Sequence, residues 1–587
     1  MARFLSILLA IIGGLTVLVV AVGIAAAIWL KPTVPTPPDR IVLQLDLRAA
    51  PVEAAAVDPV EALLSEPRPV MADIIDTLLQ ARLDSRVAGA VLLIGDDSPG
   101  LASVQELREA LTAFRAADKF VVSFATAFGE GGNGTGAYYL ASAGEVWLQP
   151  SGEFAVTGVS VETPFLKGAL DKVGIEMQGG KRWEYKSAPN SATETGYTWP
   201  QRQNLQALID SLYAQIVGDV SKARDIPAEE LRALIDRAPL SAADAKLAKL
   251  VDRIGYWDEA ESYVLQQAGP RAALFDIADY RRAVDPPNSE GPVIALIQGS
   301  GAIGAGESTY SMAAGDAMMG ADTMTAALRE AAEDPAIRAV VLRIDSPGGS
   351  YVASDTIFRE VARTRSRGKP VIVSMGDVAA SGGYFLALPA DMIVASRATL
   401  TGSIGVFGYK PVASQLLADI GVNMGHLHAG ANAGMASPFR PFTPQQQAAL
   451  ERSLDRVYAD FTQRVGEARK LSPQQVDEVA RGRVWTGIDA RRVGLVDELG
   501  GLAPAVDYAK AAAGIDTTSG ITLKRLPEPR DPIDEIVERM FGRSQSDEAV
   551  AMRRMMQGAA ELARTLHALG VTADRGALSM PPLRLRY

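Results

Sequence analysis

Hydrophobic positions follow three rhythms along this chain. The first is an unbroken run, with no charged residue from Phe4 to Leu30. A helix needs about 20 apolar residues to cross a hydrocarbon core, so residues 1–31 are expected to form a transmembrane anchor with Trp29 and Lys31 at its edge. A cleaved signal peptide ending near Ala25-Ala26-Ala27 is the competing reading. The flanking charges point to an N-in, C-out orientation, and Pro32, Pro35, Pro37 and Pro38 make residues 32–39 a stiff spacer.

The other two rhythms alternate. Short β-branched runs such as Ala90-Val91-Leu92-Leu93-Ile94 and Ala339-Val340-Val341-Leu342 read as buried strands. Between them, apolar residues recur at helical spacing: Ile74, Ile75, Leu78 and Leu79, then Val104, Leu107, Leu111 and Phe114, and later Ala327, Leu328, Ala331 and Ala332. Strands alternating with helices predict βαβ units and a largely parallel sheet, hence an α/β fold.

The pattern occurs twice. Each copy has a strand ending in Asp-Ser-Pro-Gly (97–100 and 345–348) and then a Lys-led strand (119–123 and 369–374). A Tyr-aromatic-Leu-Ala segment follows (138–141 and 384–387), and then a D-A-x-x-x-x-x-V-D segment (244–252 and 489–497). The offset stays at about 245–251 residues, so the chain reads as a tandem duplication. The expected divisions are a first half at 40–285, a linker at 286–292 and a second half at 293–525. A tail at 526–587 has helical periodicity between Asp531 and Leu569 and no counterpart in the first half.

Composition removes several kinds of chemistry. With no cysteine, thiol nucleophiles, thiolate metal sites and disulfides are excluded. A net charge of −11 argues against nucleic acid as a partner. The three histidines, His426, His428 and His567, leave little for a zinc site or a Ser-His-Asp triad, and no metal or other cofactor is expected.

What remains is a serine. Ser381, in Ala379-Ala380-Ser381-Gly382-Gly383-Tyr384, sits where a strand turns into a helix, with its hydroxyl exposed between small residues. Such a serine can equally be a plain helix N-cap. The two glycines of Asp345-Ser346-Pro347-Gly348-Gly349-Ser350 can turn backbone N–H groups toward a ligand, or simply make a turn. The first half has Thr135 opposite Ser381 and Leu101 in place of the second glycine, so it lacks a nucleophile. A lysine can activate a serine if burial lowers its pKa. Lys186, in Trp183-Glu184-Tyr185-Lys186-Ser187-Ala188, lies among aromatic and small residues, although most lysines are simply solvated.

Together these segments resemble the long form of the signal peptide peptidase A (protease IV) family. The resemblance rests on D-S-P-G-G-S (345–350), A-A-S-G-G-Y (379–384), L-T-G-S-I-G-V-F-G (400–408), Y-K-S-A (185–188) and V-W-T-G-x-D-A-x-x-x-G-L-V-D (484–497), and covers about 40–515. It implies a duplicated Clp protease/crotonase-like fold and a membrane-bound serine endopeptidase with Ser381 as nucleophile and Lys186 as base. Gly382 with Gly348 or Gly349 would form the oxyanion hole, and Ser403 would hydrogen-bond the lysine. It further implies a homotetramer at the bacterial inner membrane, single-pass through residues 4–30, with a periplasmic catalytic body that digests cleaved signal peptides and other apolar peptides. The alternatives are a crotonase-like acyl-CoA enzyme and an inactive membrane scaffold.

Overall fold

The computed structural model describes residues 36–53, 68–284, 290–311 and 316–528. The expected anchor, most of the linker and the helical tail lie outside these residues. Among the described residues, no helix is long and apolar enough to cross a membrane.

The first half runs β1 (Arg40–Leu47), α1 (Met71–Ala81), β2 (Val87–Ile94), α2 (Leu101–Arg115), β3 (Phe120–Ala125), α3 (Thr135–Ala141) and β4 (Glu145–Leu148). It continues with β5 (Glu176–Arg182), α4 (Trp199–Arg224), β6 (Arg253–Ile254) and β7 (Ala272–Asp276). Its sheet has the order β6-β4-β3-β2-β1-β7 and every pairing is parallel. All eight residues of β2 are buried, as expected of a central parallel strand covered on both faces.

The second half repeats this plan. It runs β8 (Val293–Ser300), α5 (Ala321–Glu333), β9 (Ile337–Ser346), α6 (Tyr351–Ser366), β10 (Val371–Ala380), α7 (Gly382–Ala387) and β11 (Met392–Ala395). Then come β12 (Leu400–Gly402), β13 (Val406–Val412), α8 (Pro444–Arg469), β14 (Val484–Thr486), β15 (Glu498–Leu499) and β16 (Thr522–Leu526). The order β15-β11-β10-β9-β8-β16 is parallel throughout and matches the first sheet strand for strand. Each sheet has its own apolar core.

The duplication extends to single hydrogen bonds. Tyr138 and Tyr384, both fully buried, donate at 2.8 Å to the carbonyls of Leu250 and Leu495. Arg224 pairs with Asp252 and Arg469 with Asp497, near the ends of two 26-residue helices, α4 and α8. Both helices start on a threonine N-cap (Thr198, Thr443) with proline in the first turn, and both end on a left-handed residue (Asp225, Lys470).

Of the contacts that bind the halves together, two stand out. Strand β5 pairs antiparallel with β13 over seven residues, from Arg182↔Val406 to Glu176↔Val412. In addition, the buried Arg343 of β9 lies between Glu53 and Glu106 of the first half, at 2.5 and 2.9 Å.

Candidate active site

Strand β10 is the sequence segment that makes the site. It pairs with β9 in register up to Met375↔Ile344, and pairing resumes at Ala379↔Ser346. Three residues on β10 therefore stand where β9 has only Asp345, so Gly376-Asp377-Val378 bulge out of the ladder. The bulged groups find other partners: the Val378 N–H donates to Asp345 Oδ1 at 2.9 Å, and Thr399 Oγ1 donates to the Gly376 carbonyl at 2.8 Å. Beyond the bulge, β10 pairs with β12 through Ala380↔Gly402 and ends there, one residue before Ser381.

Ser381 holds φ +52°, a left-handed conformation costly for a residue with a Cβ. Its N–H donates to the Gly402 carbonyl at 2.8 Å. It occupies the N-cap position of α7, yet its side chain makes no capping hydrogen bond. The hydroxyl is instead 3.0 Å from Lys186 Nζ, which separates it from an ordinary cap.

Lys186 arrives from the first half, four residues beyond β5. Arg182, the last residue of β5, pairs with Glu451 and Asp455 on α8, and Glu184 pairs with Arg481. The 481–483 turn then threads between Lys186 and Ser403: Tyr185 N–H donates to the Arg481 carbonyl, Gly482 N–H to Ile404 and Ser403 N–H to Arg483. Gly482 has φ +87°, and a Cβ there would lie 2.3 Å from the Lys186 backbone nitrogen, so only glycine fits.

The lysine is 3% exposed. Burial alone lowers its pKa from 10.5 to about 7. Nζ touches Ser381 Oγ, the Ser403 carbonyl at 2.9 Å and Ser403 Oγ at 3.0 Å. A neutral amine has two N–H groups and one lone pair. Donation to the two Ser403 oxygens leaves the lone pair to accept the Ser381 O–H.

Of the candidate backbone donors, Gly348 N–H is already directed at Ser346 Oγ, 3.2 Å away. The parallel bridge between Ile303 and Gly349 uses Ile303 N–H to the Gly348 carbonyl and Ser350 N–H to Ile303, leaving the Gly349 N–H out of the ladder. Gly382 opens α7, so its N–H has no intrahelical acceptor. These two groups lie side by side, since a Cβ on Gly382 would be 3.2 Å from Gly349 N.

Beside Ser381 is a cleft walled by Tyr351, Phe385, Phe407, Val457 and Phe461. The sequence reading named none of these walls. Val457 and Phe461 stand at i, i+4 on α8, a visible helical signal that carries no sign of what it faces. The structure does not bring in His426 or His428: they stack on one another at 4.6 Å and neither lines the cleft. Among the described residues, no group of three or more His, Asp or Glu could hold a metal.

The equivalent place in the first half is filled. Thr135 is buried, donates its hydroxyl to Asn133 Oδ1 at 2.7 Å and accepts the Gly158 N–H at 3.0 Å. A Cβ on Gly136 would fall 2.7 Å from Ser98 Oγ.

Comparison with known proteins adds a family context. The chain matches peptidase family S49 over residues 114–269 and again over 363–516. It is 36% identical to Protease 4 of Salmonella typhi, over 75% of this chain and 71% of that protein. It is 32% identical to the chloroplastic serine protease SPPA of Arabidopsis thaliana, over 79% and 68%. Protease 4 of Haemophilus influenzae is 32% identical, over 75% and 72%.

Proposed function

Because the chain belongs to peptidase family S49 and is a serine protease with a duplicated domain, we propose that it cleaves peptides with a Ser381/Lys186 dyad assembled from its two halves. The observation that carries this reading is the 3.0 Å contact between Ser381 Oγ and a lysine amine whose pKa burial lowers to about 7. Membership of a peptidase family favours this reading over the acyl-CoA and inactive-scaffold alternatives.

In the proposed mechanism, neutral Lys186 takes the Ser381 proton as Oγ attacks the substrate carbonyl. Ser403 fixes the amine through its carbonyl and hydroxyl. The Gly349 and Gly382 N–H groups receive the tetrahedral oxyanion, at about 3–4 kcal/mol per donor. Lys186 then returns the proton to the leaving amine. Water, deprotonated by the same lysine, hydrolyses the acyl-enzyme and regenerates Ser381.

The substrates proposed are cleaved signal peptides and other apolar peptides, in keeping with the aromatic walls beside Ser381. Residues 40–285 and 293–525 are the duplicated Clp protease/crotonase-like units, joined by 286–292 and followed by the tail 526–587. Residues 1–31 anchor the chain in a bacterial inner membrane, and 32–39 space a periplasmic homotetramer from the bilayer.

The test is hydrolysis of a leucine-rich peptide by detergent-solubilised full-length protein, wild type beside Ser381→Ala and Lys186→Ala. Each variant should lose about ten-thousand-fold in kcat while remaining folded. Full activity in Lys186→Ala would place the base elsewhere.

A further inference from the structure

Four carboxyls and one guanidinium crowd the seam between the halves, beneath the nucleophile strand. Arg343 spends its charge on Glu53 and Glu106 and donates a further hydrogen bond to Ser374 Oγ at 2.9 Å. That leaves Asp345 and Asp377 with no cation in contact. Their surroundings differ. Asp377 reaches across to the first half, accepting the Ser103 N–H at 3.0 Å and the Ser103 hydroxyl at 2.7 Å. It thereby caps α2, whose own N-cap residue is Gly100 and whose first turn has no acid. A Cβ on Gly100 would lie 2.1 Å from the Asp377 carboxyl carbon, so the fit requires glycine. Asp345 stays within the second half and takes the Val378 N–H.

Both carboxyls thus hold the same three-residue bulge, which ends three residues before Ser381. We propose that Asp345 and Asp377 are positioning residues for the Ser381–Lys186 dyad. Sharing a single negative charge, they pin the bulge that aims Ser381 and dock it onto the half that carries Lys186. The inference rests on the dyad reading above.

The charge sharing follows from where the groups sit. The ionisable groups facing the pair are Glu53 from the segment after β1 and Arg343 from β9, and Glu106 from α2 pairs with that same Arg343. Full ionisation of all four acids would leave three uncompensated negative charges in a buried seam, which is prohibitive. Burial raises the Asp377 pKa too, but the two hydrogen bonds from Ser103 at a helix N-terminus oppose that rise and make Asp377 the better place for the charge. Asp345 keeps the proton, since burial raises its pKa and the Asp377 charge raises it further. A carboxyl raised in this way is neutral below its folded pKa and ionises as the pH climbs through it. Alkaline pH therefore drives the two strand ends apart.

Two measurements test the inference on the full-length solubilised protein, using a leucine-rich peptide. At neutral pH, Asp377→Ala should lower kcat by about tenfold to a hundredfold with KM unchanged, the scale of a misplacement near 1 Å. Asp377→Asn, whose carboxamide oxygen still accepts from Ser103, should recover kcat to within about threefold of wild type. Across pH, wild-type kcat should fall again on the alkaline side of its maximum, and Asp345→Asn should remove that fall while keeping the rise due to Lys186. Wild-type kcat in Asp377→Ala, or an alkaline fall that survives in Asp345→Asn, would overturn the proposal. If Asp377→Ala does not fold, the Asp345→Asn profile decides alone. Ser381→Ala and Lys186→Ala report separately on the dyad. If those two variants are inactive and the aspartate variants behave as wild type, only the positioning role fails.

Discussion

The two halves share six strands in the same order, matched buried tyrosines and matched long helices, yet they treat the end of one strand differently. In the first half β3 stops at Ala125, in register with β2 throughout. In the second, β10 slips against β9, bulges, and runs on to Ala380, directly before Ser381. The first half instead presents Thr135, whose hydroxyl is already committed to Asn133 and Gly158. A hydroxyl at this position is therefore not sufficient to make a nucleophile on this scaffold. The strand must overrun its partner, and the hydroxyl must be left without a local acceptor. The first half keeps an intact sheet, and the proposed base, Lys186, follows β5, a segment outside that sheet.

The largest effect expected to sharpen this contrast is on turnover. Ser381→Ala should abolish hydrolysis, about ten-thousand-fold, while Thr135→Ala leaves kcat per folded molecule within about twofold. A large loss in Thr135→Ala would mean that the first half holds a working site of its own. Next is Gly349→Ala, which should cost about a hundredfold to a thousandfold in kcat if its N–H serves the oxyanion. Its φ is +159°, at the edge of the left-handed region, and a Cβ would lie 2.2 Å from the Ile303 carbonyl oxygen. The equivalent first-half position is Leu101, which opens α2 and carries a side chain without a positive φ.

The pH dependence ranks third. Protonated Lys186 cannot take a proton, so kcat/KM should climb about tenfold per unit toward a pKa of about 7. Lys186→Arg, charged at every accessible pH, should be inactive throughout; measurable turnover there would break the assignment. The smallest effect should be equal in both halves. Tyr138→Phe and Tyr384→Phe each delete one buried 2.8 Å hydrogen bond, and each should cost about 1 kcal/mol in chemical denaturation. A clearly larger loss in one variant would show that the duplicated cores are no longer energetically alike.

Much of this was legible in the sequence, because hydrophobic rhythm and repetition are local properties. The β-branched runs at 90–94 and 339–344 became β2 and β9, and the apolar spacing at 104–114 became α2. Lys186 was named from its surroundings and from resemblance, but its burial depends on Gly405 and Gly482, each more than 200 residues later. The choice between Gly348 and Gly349 could not be read from two adjacent glycines; it turns on Ser346 Oγ occupying one N–H. The bulge left no sequence trace, since Gly376-Asp377-Val378 is unremarkable until Asp345 and Ser103 are beside it. The cleft walls were hidden for the same reason, because Phe385 and Phe461 meet only in three dimensions.

The separation of base and nucleophile along the chain also has a consequence for biosynthesis. On the proposed dyad, the lysine is translated 195 residues before the serine. It remains an ordinary solvated ammonium until the segments around Ile404 and Gly482 have been made and have closed over it. Proteolytic competence then arrives only with a nearly finished polypeptide, so a ribosome-bound or truncated product cannot attack its neighbours. On the proposed dyad, completion of the chain is itself the step that switches activity on.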